Sequence, residues 1–324
     1  MVLLFALAPG HRTAEVYCTS TKKHFSDFWI NKISFDDEQN IDKMFQNLII
    51  KAGKMFGNTF ELGTVCVYLG HYDFEYGNGI RKKFVSSGLA SGFKNVEIID
   101  LFVAIFYDAL RQSKFHPVVN SVVWIHNYGS WYLWKKMSAG QSELIHYENR
   151  GSTWIDDELI KKFEQTSGKK PDIIVFGHPV HDYLVSYFSS KYATFIFENF
   201  YFAKGALLHA KIMAEKTKYL DYAAKNTLGH DVKLVVGMKE ILHFQRHQNV
   251  PLDKVLKLKN ANDLNLNIFD GPFHEAMQLP PCAACFIVIQ IDTNGIFTIT
   301  VIDESVAELL KQKHYENINC IVEI

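Results

Sequence analysis

Residues 280–303 constrain the fold of this chain more than any other stretch. Two runs rich in apolar and β-branched residues, Phe286–Ile291 and Ile296–Ile302, flank the turn cluster Asp292-Thr293-Asn294-Gly295. An Asn-Gly pair tolerates the positive φ angles that a tight turn between two right-twisted strands requires. Apolar and polar residues alternate in the second run, which indicates a half-buried strand and not a helix. The stretch therefore predicts a β-hairpin within a β-rich domain.

Length and composition predict two domains and a chain with almost no net charge. At 324 residues the chain exceeds the usual size of one domain, and its 48% apolar content is sufficient for real cores. With 34 basic and 35 acidic residues, no net field attracts nucleic acid or an anionic membrane. Val2–Ala8 lacks a basic flank and is too short to span a bilayer, so we expect a buried first strand. Five scattered cysteines favour a reducing, cytoplasmic location.

The first two thirds of the chain predict an α/β layered domain. Strands come first, and a helix that begins at Asp36-Asp37-Glu38 then opens a stretch in which helices and strands alternate. No internal repeat is visible in the sequence. The predicted strands are Val2–Ala8, Ala14–Thr19, Phe28–Phe35, Val65–Leu69, Val96–Leu101, Val118–Ile125, Trp131–Met137, Leu144–Tyr147 and Ile173–Phe176; the main predicted helices are Ile80–Leu89, Val103–Arg111, Asp156–Thr166 and Phe202–Ala214.

After residue 217 the pattern changes to that of a β domain. Strands are predicted at Val232–Val236, Glu240–Phe244, Lys254–Leu258 and Leu264–Phe269, before the hairpin described above. Val306–Gln312 is expected to form a short helix. The predicted organisation is an α/β domain at 1–217, a linker at 218–222 and a β domain at 223–324.

The hairpin resembles a specific family. Its sequence I-D-T-N-G-I-F-T-I-T-V-I-D-E-S is similar to I-D-A-N-G-I-L-N-V-S-A-x-D-x-S in the substrate-binding β-sandwich of the 70-kilodalton heat-shock chaperones. Gln248–Pro251 and Leu279–Pro281 match two upstream family segments in the same order. The order of elements before residue 217 resembles the nucleotide-binding domain that actin, sugar kinases and these chaperones share. The resemblance implies an actin-like ATPase-type domain with reduced outer lobes, a linker marked by Leu220 and Asp221, and a β-sandwich without a helical lid.

The resemblance also implies where a nucleotide would bind. The family holds ATP and Mg²⁺ with two glycine-rich phosphate turns and their carboxylates. The corresponding segments here are Ala8–Arg12 and His126–Leu133, and the adenosine-side loop corresponds to Phe176–Asp182. Both magnesium-shell carboxylates are replaced, so we expect a degenerate pseudo-ATPase with no catalytic residue, no cofactor and no metal site. If ATP and Mg²⁺ are retained, the residues expected to contact them are Gly10, His11, Arg12, Gly129, Ser130 and Gly177.

A second site is implied in the β domain. In the family an extended peptide lies in a groove of the sandwich and is held by backbone contacts and one apolar pocket. Alternation of buried residues would produce the same residue types in a plain sandwich core, and both interpretations stay open at this point. The residues that correspond to the family's peptide site are Val236, Gly237, Leu258, Ala261, Leu264 and Leu266.

The cysteine and histidine pairs give little support for a metal or redox site. Cys282 and Cys285 have C-x-x-C spacing, but no second such pair exists to complete a zinc site, and the pair leads into a strand. His178 and His181 flank Pro179, which favours a loop and not a shared helix face.

These features predict a chaperone-like or pseudo-chaperone protein that binds unfolded or extended polypeptide segments. The first alternative is a working ATP-dependent chaperone that uses His11, Arg12 and Ser130. The second is a structural partner of co-chaperones or other chaperones. No nucleic-acid or membrane partner is expected.

Overall fold

Two five-stranded mixed sheets form the first part of the chain. The computed structural model describes residues 1–33, 38–57, 59–70, 76–138, 140–149, 157–197, 199–259, 264–282, 284–304 and 320–323. The first sheet contains β1 Val2–Ala8, β2 Thr13–Cys18, β3 His24–Trp29, β4 Glu61–Tyr68 and β5 Asn95–Ile99, with helices α1 Glu38–Phe56, α2 Asn78–Ala90 and α3 Leu101–Ser113. The second contains β6 Val122–Asn127, β7 Ser130–Lys136, β8 Ser142–Asn149, β9 Ile173–Gly177 and β10 Thr194–Phe197, with α4 Asp157–Ser167, α5 Asp182–Ser189 and α6 Phe202–Ala214.

The two sheets have the same topology. The first has the order β3-β2-β1-β4-β5 and the second β8-β7-β6-β9-β10. In each sheet the first three strands of the chain pair antiparallel, and the last two add in parallel to the first. No repeat is visible in the sequence, but the structure contains one, because its two sheets share one topology. The duplication is one of strand order and hydrophobic pattern, which different residues satisfy equally well.

Five layers result from this duplication. Helices α1 and α2 cover the outer face of the first sheet, and α4 and α5 cover the outer face of the second. Helices α3 and α6 lie between the sheets in one hydrophobic cluster. Helix α6 contacts β1, β2 and β4 of the first sheet, whereas α3 packs on the second, with Phe106 stacked on Trp134 at 4.4 Å between ring centroids.

The crossing of α3 and α6 is close. A Cβ atom at Gly205 of α6 would lie 2.4 Å from the carbonyl oxygen of Ala104 in α3. Glycine is therefore required there to let the two backbones meet. Every residue from Phe102 to Leu110 is buried, because α3 has a protein layer on each side.

Several predicted boundaries are wrong. The third strand is His24–Trp29 and not Phe28–Phe35, and the sixth begins at Val122, since Val118 is 68% exposed. The prediction missed β10 and two strands of the β part described below. All three are edge strands, which lack the buried alternation that makes central strands recognisable.

The C-terminal part consists of two four-stranded sheets. Their orders are β12-β11-β14-β15 and β17-β16-β13-β18, and both contribute side chains to one hydrophobic cluster. The predicted hairpin is confirmed as β16 and β17, with Ile291 opposite Phe297 and Gly295 at φ 70°. The predicted helix Val306–Gln312 lies outside the described residues. The strands are β11 Val232–Val236, β12 Lys239–Phe244, β13 Leu252–Lys259, β14 Asn265–Asp270, β15 Phe273–Gln278, β16 Ala284–Ile291, β17 Phe297–Asp303 and β18 Cys320–Glu323.

The segment between the two parts is folded onto the second sheet. A short helix α7, Lys216–Tyr219, continues into a 3-10 turn at Leu220–Tyr222. The buried Lys136 ammonium donates to the carbonyl oxygens of Leu220, at 3.0 Å, and Asp221, at 2.7 Å. Within the part of the chain that the structure describes, no helix has the length and apolar character needed to cross a bilayer.

Candidate functional site

Three loops at equivalent strand ends form the candidate site. The first, Pro9–His11, is a 3-10 turn after β1, and Arg12 closes it in the left-handed conformation with φ 59°. The second is the two-residue turn Tyr128-Gly129 between β6 and β7, and the third follows β9 at Gly177. Strands β1 and β6 occupy the same place in the duplicated topology, so the turns that follow them are equivalent.

Aromatic rings form a continuous set of contacts that begins at the first loop. The His11 ring lies 4.8 Å from Phe202 and 5.7 Å from Tyr68, and Tyr68 is stacked on Phe202 at 4.7 Å. Phe202 is parallel to Phe200 at 6.3 Å, and Phe200 packs edge-on against Phe197 at 3.9 Å. We call His11, Tyr68, Phe197, Phe200 and Phe202 the aromatic cluster. It joins the first loop to the start of α6.

The aromatic cluster also reaches the third loop. A Cβ atom at Gly177 would lie 2.7 Å from the Phe200 ring and 2.8 Å from Oδ1 of Asn127. Gly177 is therefore needed for protein packing, because Phe200 and Asn127 occupy the space above its backbone. The third loop thus lies next to Asn127 at the end of β6 and is joined to the first loop through Phe200 and Phe202.

The second loop is a tight hairpin turn next to a buried histidine. Asn127 and Ser130 pair directly, and Tyr128 and Gly129 have φ angles of 47° and 77°, as in a tight two-residue hairpin turn. His126 stands where the family has its first carboxylate, and its ring is buried against Trp131 at 4.8 Å. Burial lowers the pKa of His126 to about 4, and the nearby His181 adds to the shift. The side chain is thus a neutral imidazole at pH 7.

The other predicted nucleotide contacts have structural surroundings. Gly10 is buried in the first turn, whereas Arg12 is exposed and its backbone N–H donates to the Pro9 carbonyl at 3.2 Å. The buried Ser130 hydroxyl lies 3.5 Å from the Tyr147 hydroxyl. Of the six, Arg12 is the side chain that presents a full positive charge to solvent beside the loops.

ATP with Mg²⁺ does not fit these residues. Among residues 8–13, 126–131 and 176–182 the single carboxylate is the exposed Asp182 in the first turn of α5. Mg²⁺ requires oxygen ligands and a polar, hydrated site. The aromatic cluster and the neutral His126 supply neither oxygen ligands nor a hydrated site.

A buried carboxylate near the site has a structural role that the sequence analysis missed. Asp108 of α3 is fully buried and accepts hydrogen bonds from Gln112 Nε2 at 2.7 Å, Arg111 Nε at 2.8 Å and the Tyr201 N–H at 2.8 Å. Burial raises the pKa of Asp108, and Arg111 acts in the opposite direction. The carboxylate links α3 to the start of α6, and its oxygens are already used for that contact.

Polar groups join the two parts of the chain in what we call the docking network. Its members on the α/β side are Asn78, Arg81 and Asp100, and on the β side Asn226, Asp270 and Asn294. Arg81 donates to Asp100 Oδ1 at 2.8 Å and to the Asn294 carbonyl at 2.9 Å. The Asn294 side chain in turn accepts from the Ile98 N–H at 2.8 Å.

Two more asparagines and a carboxylate complete the docking network. The Asn78 side chain exchanges two hydrogen bonds with the backbone of Phe297, both at 3.0 Å, and its N–H donates to Asp270 at 2.6 Å. Asp270 also bonds His230. Asn226 bridges the Ile98 and Thr293 carbonyls at 2.8 and 2.9 Å. The turn that the sequence analysis singled out, Asp292–Gly295, is thus an interdomain contact.

The predicted peptide-site residues are mostly in the hydrophobic cluster of the β part. Val236, Leu258 and Leu266 are fully buried, and Leu264 is half-buried against the same cluster. Gly237 forms the β11–β12 turn with φ 60°, beside the fully exposed Met238. Ala261 lies outside the described residues. Burial of the first three is what the core interpretation expects, and the peptide-site interpretation stays a prediction.

The cysteine and histidine pairs form no metal site. The Cys282 and Cys285 thiols interact, and burial raises the pKa of both, that of Cys285 to about 11. His178 and His181 are exposed on the loop before α5, where the His181 ring stacks on Tyr183. No group of three metal-ligating side chains occurs within the described ranges.

Comparison with known proteins gives a likeness of fold. No protein-family model matches the chain, and no curated protein matches it. An inorganic polyphosphate/ATP-glucomannokinase from Arthrobacter sp. strain KM is 11% identical over 66% of this chain and 100% of its own, with a TM-score of 0.39. A protein with actin-like ATPase fold and unknown function from Bacteroides thetaiotaomicron is 10% identical over 64% of this chain and 95% of its own, with a TM-score of 0.32.

A third solved structure, an AlfA filament bound to AMPPNP, is 9% identical over 68% of this chain and 98% of its own, with a TM-score of 0.30. These identities and TM-scores describe similarity of the backbone fold alone. The ligands named for those structures belong to those proteins. The duplicated strand order and the central helix pair confirm the layered α/β domain predicted from the sequence, and its actin-like character stays a prediction. The narrower resemblance to the heat-shock chaperones stays a prediction.

Proposed function

We propose that this protein is a chaperone-like binding protein that holds extended polypeptide segments without a nucleotide-driven cycle. The observation that carries the proposal is the aromatic cluster, which connects the first and third of the loops where the resemblance places ATP. The family resemblance of the β16–β17 hairpin supports the polypeptide part of the proposal.

The docking network supports the absence of a cycle. A nucleotide-driven cycle requires two arrangements of the domains of similar free energy. Separation of the two parts here would expose Arg81 and Asp100, with side chains 2% and 0% exposed, and break the hydrogen bonds of Asn78, Asn226 and Asn294. Groups paired in a buried site are costly to separate. The docked arrangement is therefore expected to persist.

Exposed apolar groups support polypeptide contact at the β part. Met238 projects fully into solvent from the β11–β12 turn, and Phe269 and Met277 are each 37% exposed. Met277 lies on β15, an edge strand of its sheet in the part of the chain that the structure describes. An extended peptide is able to add to such an edge through its backbone, with apolar side chains giving preference.

The experiment measures binding of fluorescent, leucine-rich extended peptides by anisotropy. Met238→Ser is expected to weaken binding about tenfold, because burial of a methionine side chain contributes about 1.5–3 kcal/mol. Met55→Ser, at an exposed position on α1, is the matched control and is expected to leave binding unchanged. Mg-ATP is expected to leave the rate of peptide release unchanged. Equal binding by both variants and wild type would remove Met238 from the proposed surface, and ATP-accelerated release would overturn the proposal.

A further inference from the structure

A pocket separate from the candidate site lies between α6, β3 and the end of α3. Its volume is about 210 Å³, and none of its lining residues belongs to the three loops of the candidate site. Four basic side chains line it, and Leu207, Leu208 and Tyr219 give it an apolar wall. The basic residues are His24, Arg111, Lys204 and Lys211.

Helical spacing explains why the basic groups converge. Lys204, Leu207, Leu208 and Lys211 are three, four and seven residues apart, so they share one face of α6. Arg111 comes from the last turn of α3, which crosses α6 at Gly205. The same tight crossing that builds the five-layer fold therefore places these groups around one space.

Nearby carboxylates neutralise only part of this charge. Arg111 pairs with Asp108 at 2.7 Å, His24 approaches Glu15 at 2.6 Å, and Lys22 and Lys218 share Glu215 at 3.5 and 3.8 Å. Among the residues that the structure describes, no carboxylate lies within ion-pair distance of Lys204 or Lys211. Each of these lysines rests instead on a tyrosine ring, Lys204 over Tyr201 at 4.3 Å and Lys211 over Tyr17 at 3.9 Å.

Lys211 lies in a field of positive charge. Burial lowers the pKa of Lys211, and the charges of Lys218, Arg111 and Lys22 act in the same direction against that of Glu215. An anion next to Lys211 would stabilise its charged form, because the anion offsets repulsion from the other positive charges and replaces hydrogen bonds lost from water.

We propose that the pocket binds a small molecule that carries a phosphoryl group. Lys204, Lys211 and Arg111 provide charge-assisted donors for its oxygens, and Leu208 and Tyr219 contact its apolar portion. The volume accommodates a phosphoryl group with a small organic substituent. This site is independent of the proposed polypeptide function.

The test is calorimetric titration of the full chain with phenyl phosphate and, separately, with inorganic phosphate. Phenyl phosphate is expected to bind more tightly if the apolar wall takes part, whereas equal affinities assign the site to free phosphate. Lys211→Gln and Lys204→Gln are each expected to weaken binding about tenfold, through loss of one charge-assisted contact. Lys43→Gln, which removes the same charge from an exposed site on α1, is expected to bind as wild type does.

Two results would overturn the proposal. One is the absence of binding of either probe to the wild-type chain. The other is equal binding by wild type, Lys204→Gln and Lys43→Gln. Lys204 is only half-buried, so Lys204→Gln keeps the test decisive even if Lys211→Gln does not fold, and circular dichroism reports the folding of each variant.

Discussion

Arg81 and Asp100 form an ion pair at 2.8 Å inside the protein, and Arg81 simultaneously holds the Asn294 carbonyl of the β16–β17 turn at 2.9 Å. One arginine thus connects α2, the start of α3 and the C-terminal part. Removal of one partner of such a buried pair lowers stability strongly, because the remaining charge is left without a partner and without water to hydrate it.

Arg81→Met is expected to destabilise the chain by about 3–5 kcal/mol, because Asp100 is left as an unpaired buried carboxylate. Urea unfolding measures the loss, and small-angle scattering is expected to report a larger radius of gyration as the two parts separate. The control is Lys94→Met, since the Lys94–Glu61 pair is exposed on both sides and exposed pairs contribute little. A compact Arg81→Met variant of wild-type stability would contradict the role of the docking network.

Two glycine positions separate the effect of the docking contact from backbone strain. Gly295 and Gly237 both close hairpin turns, at φ 70° and 60°. A Cβ atom at Gly295 would lie 3.1 Å from Arg81 Nη1, whereas one at Gly237 meets nothing within 4 Å. Alanine at either site costs about 1 kcal/mol of backbone strain. Thermal unfolding is expected to show a larger loss for Gly295→Ala than for Gly237→Ala, and equal losses would argue against a tight contact at Arg81.

Stability is expected to fall on mild acidification because of His126. Its pKa is lowered to about 4 in the folded chain from an ordinary value of 6.5. The unfolded chain therefore takes up this proton first, so the contribution is complete above pH 6.5 and declines as the pH falls towards 4, by about 3 kcal/mol in total.

His126→Phe keeps a ring against Trp131 and is expected to remove this part of the pH dependence. Urea midpoints at pH 7 and pH 5 measure it. His274→Phe, at an exposed histidine, is expected to retain the wild-type slope. A His126→Phe variant with an unchanged slope would mean that the imidazole is hydrated in the folded state.

The crossing of α3 and α6 predicts a strong effect of one added methyl group. Gly205→Ala forces the Ala104 carbonyl to move, and overpacking of this kind typically costs about 1–3 kcal/mol or more. Gly79→Ala, at an exposed position in the first turn of α2, places a Cβ atom 3.0 Å from Glu38 Oε1, an exposed side-chain end that can move aside, and is expected to stabilise the chain by up to about 0.5–1 kcal/mol through helix propensity. Thermal melting of both variants checks the opposite signs, and a neutral Gly205→Ala would show that the helices are not in backbone contact.

The sequence predicted those elements that bury a regular apolar pattern. The β16–β17 hairpin, the central strands and the face of α1 at Ile41, Met44 and Phe45 were recognisable because burial imposes period 2 or 3.6. The duplication was not recognisable, because the two halves share strand order and not residues.

The site was predictable only in part. The sequence shows Ala8 and His126 at the positions where the resembled family has carboxylates, but the aromatic cluster brings together residues up to 191 positions apart, from His11 to Phe202. The docking network is likewise built from polar residues such as Asn78 and Asn226, which the sequence analysis did not distinguish from surface residues. Such contacts depend on tertiary placement, and no local pattern encodes them.

The central claim is that protein side chains occupy the place of the nucleotide. Titration of Mg-ATP and Mg-ADP into the purified chain by calorimetry, with a thermal-shift scan alongside, tests it most directly. The account predicts no saturable heat and no rise in melting temperature at millimolar nucleotide, since a ligand that binds the folded state must stabilise it by mass action. Micromolar binding that raises the melting temperature and is lost in Arg12→Ala would contradict the account, because it would require the aromatic cluster to open and the loops to hold phosphate.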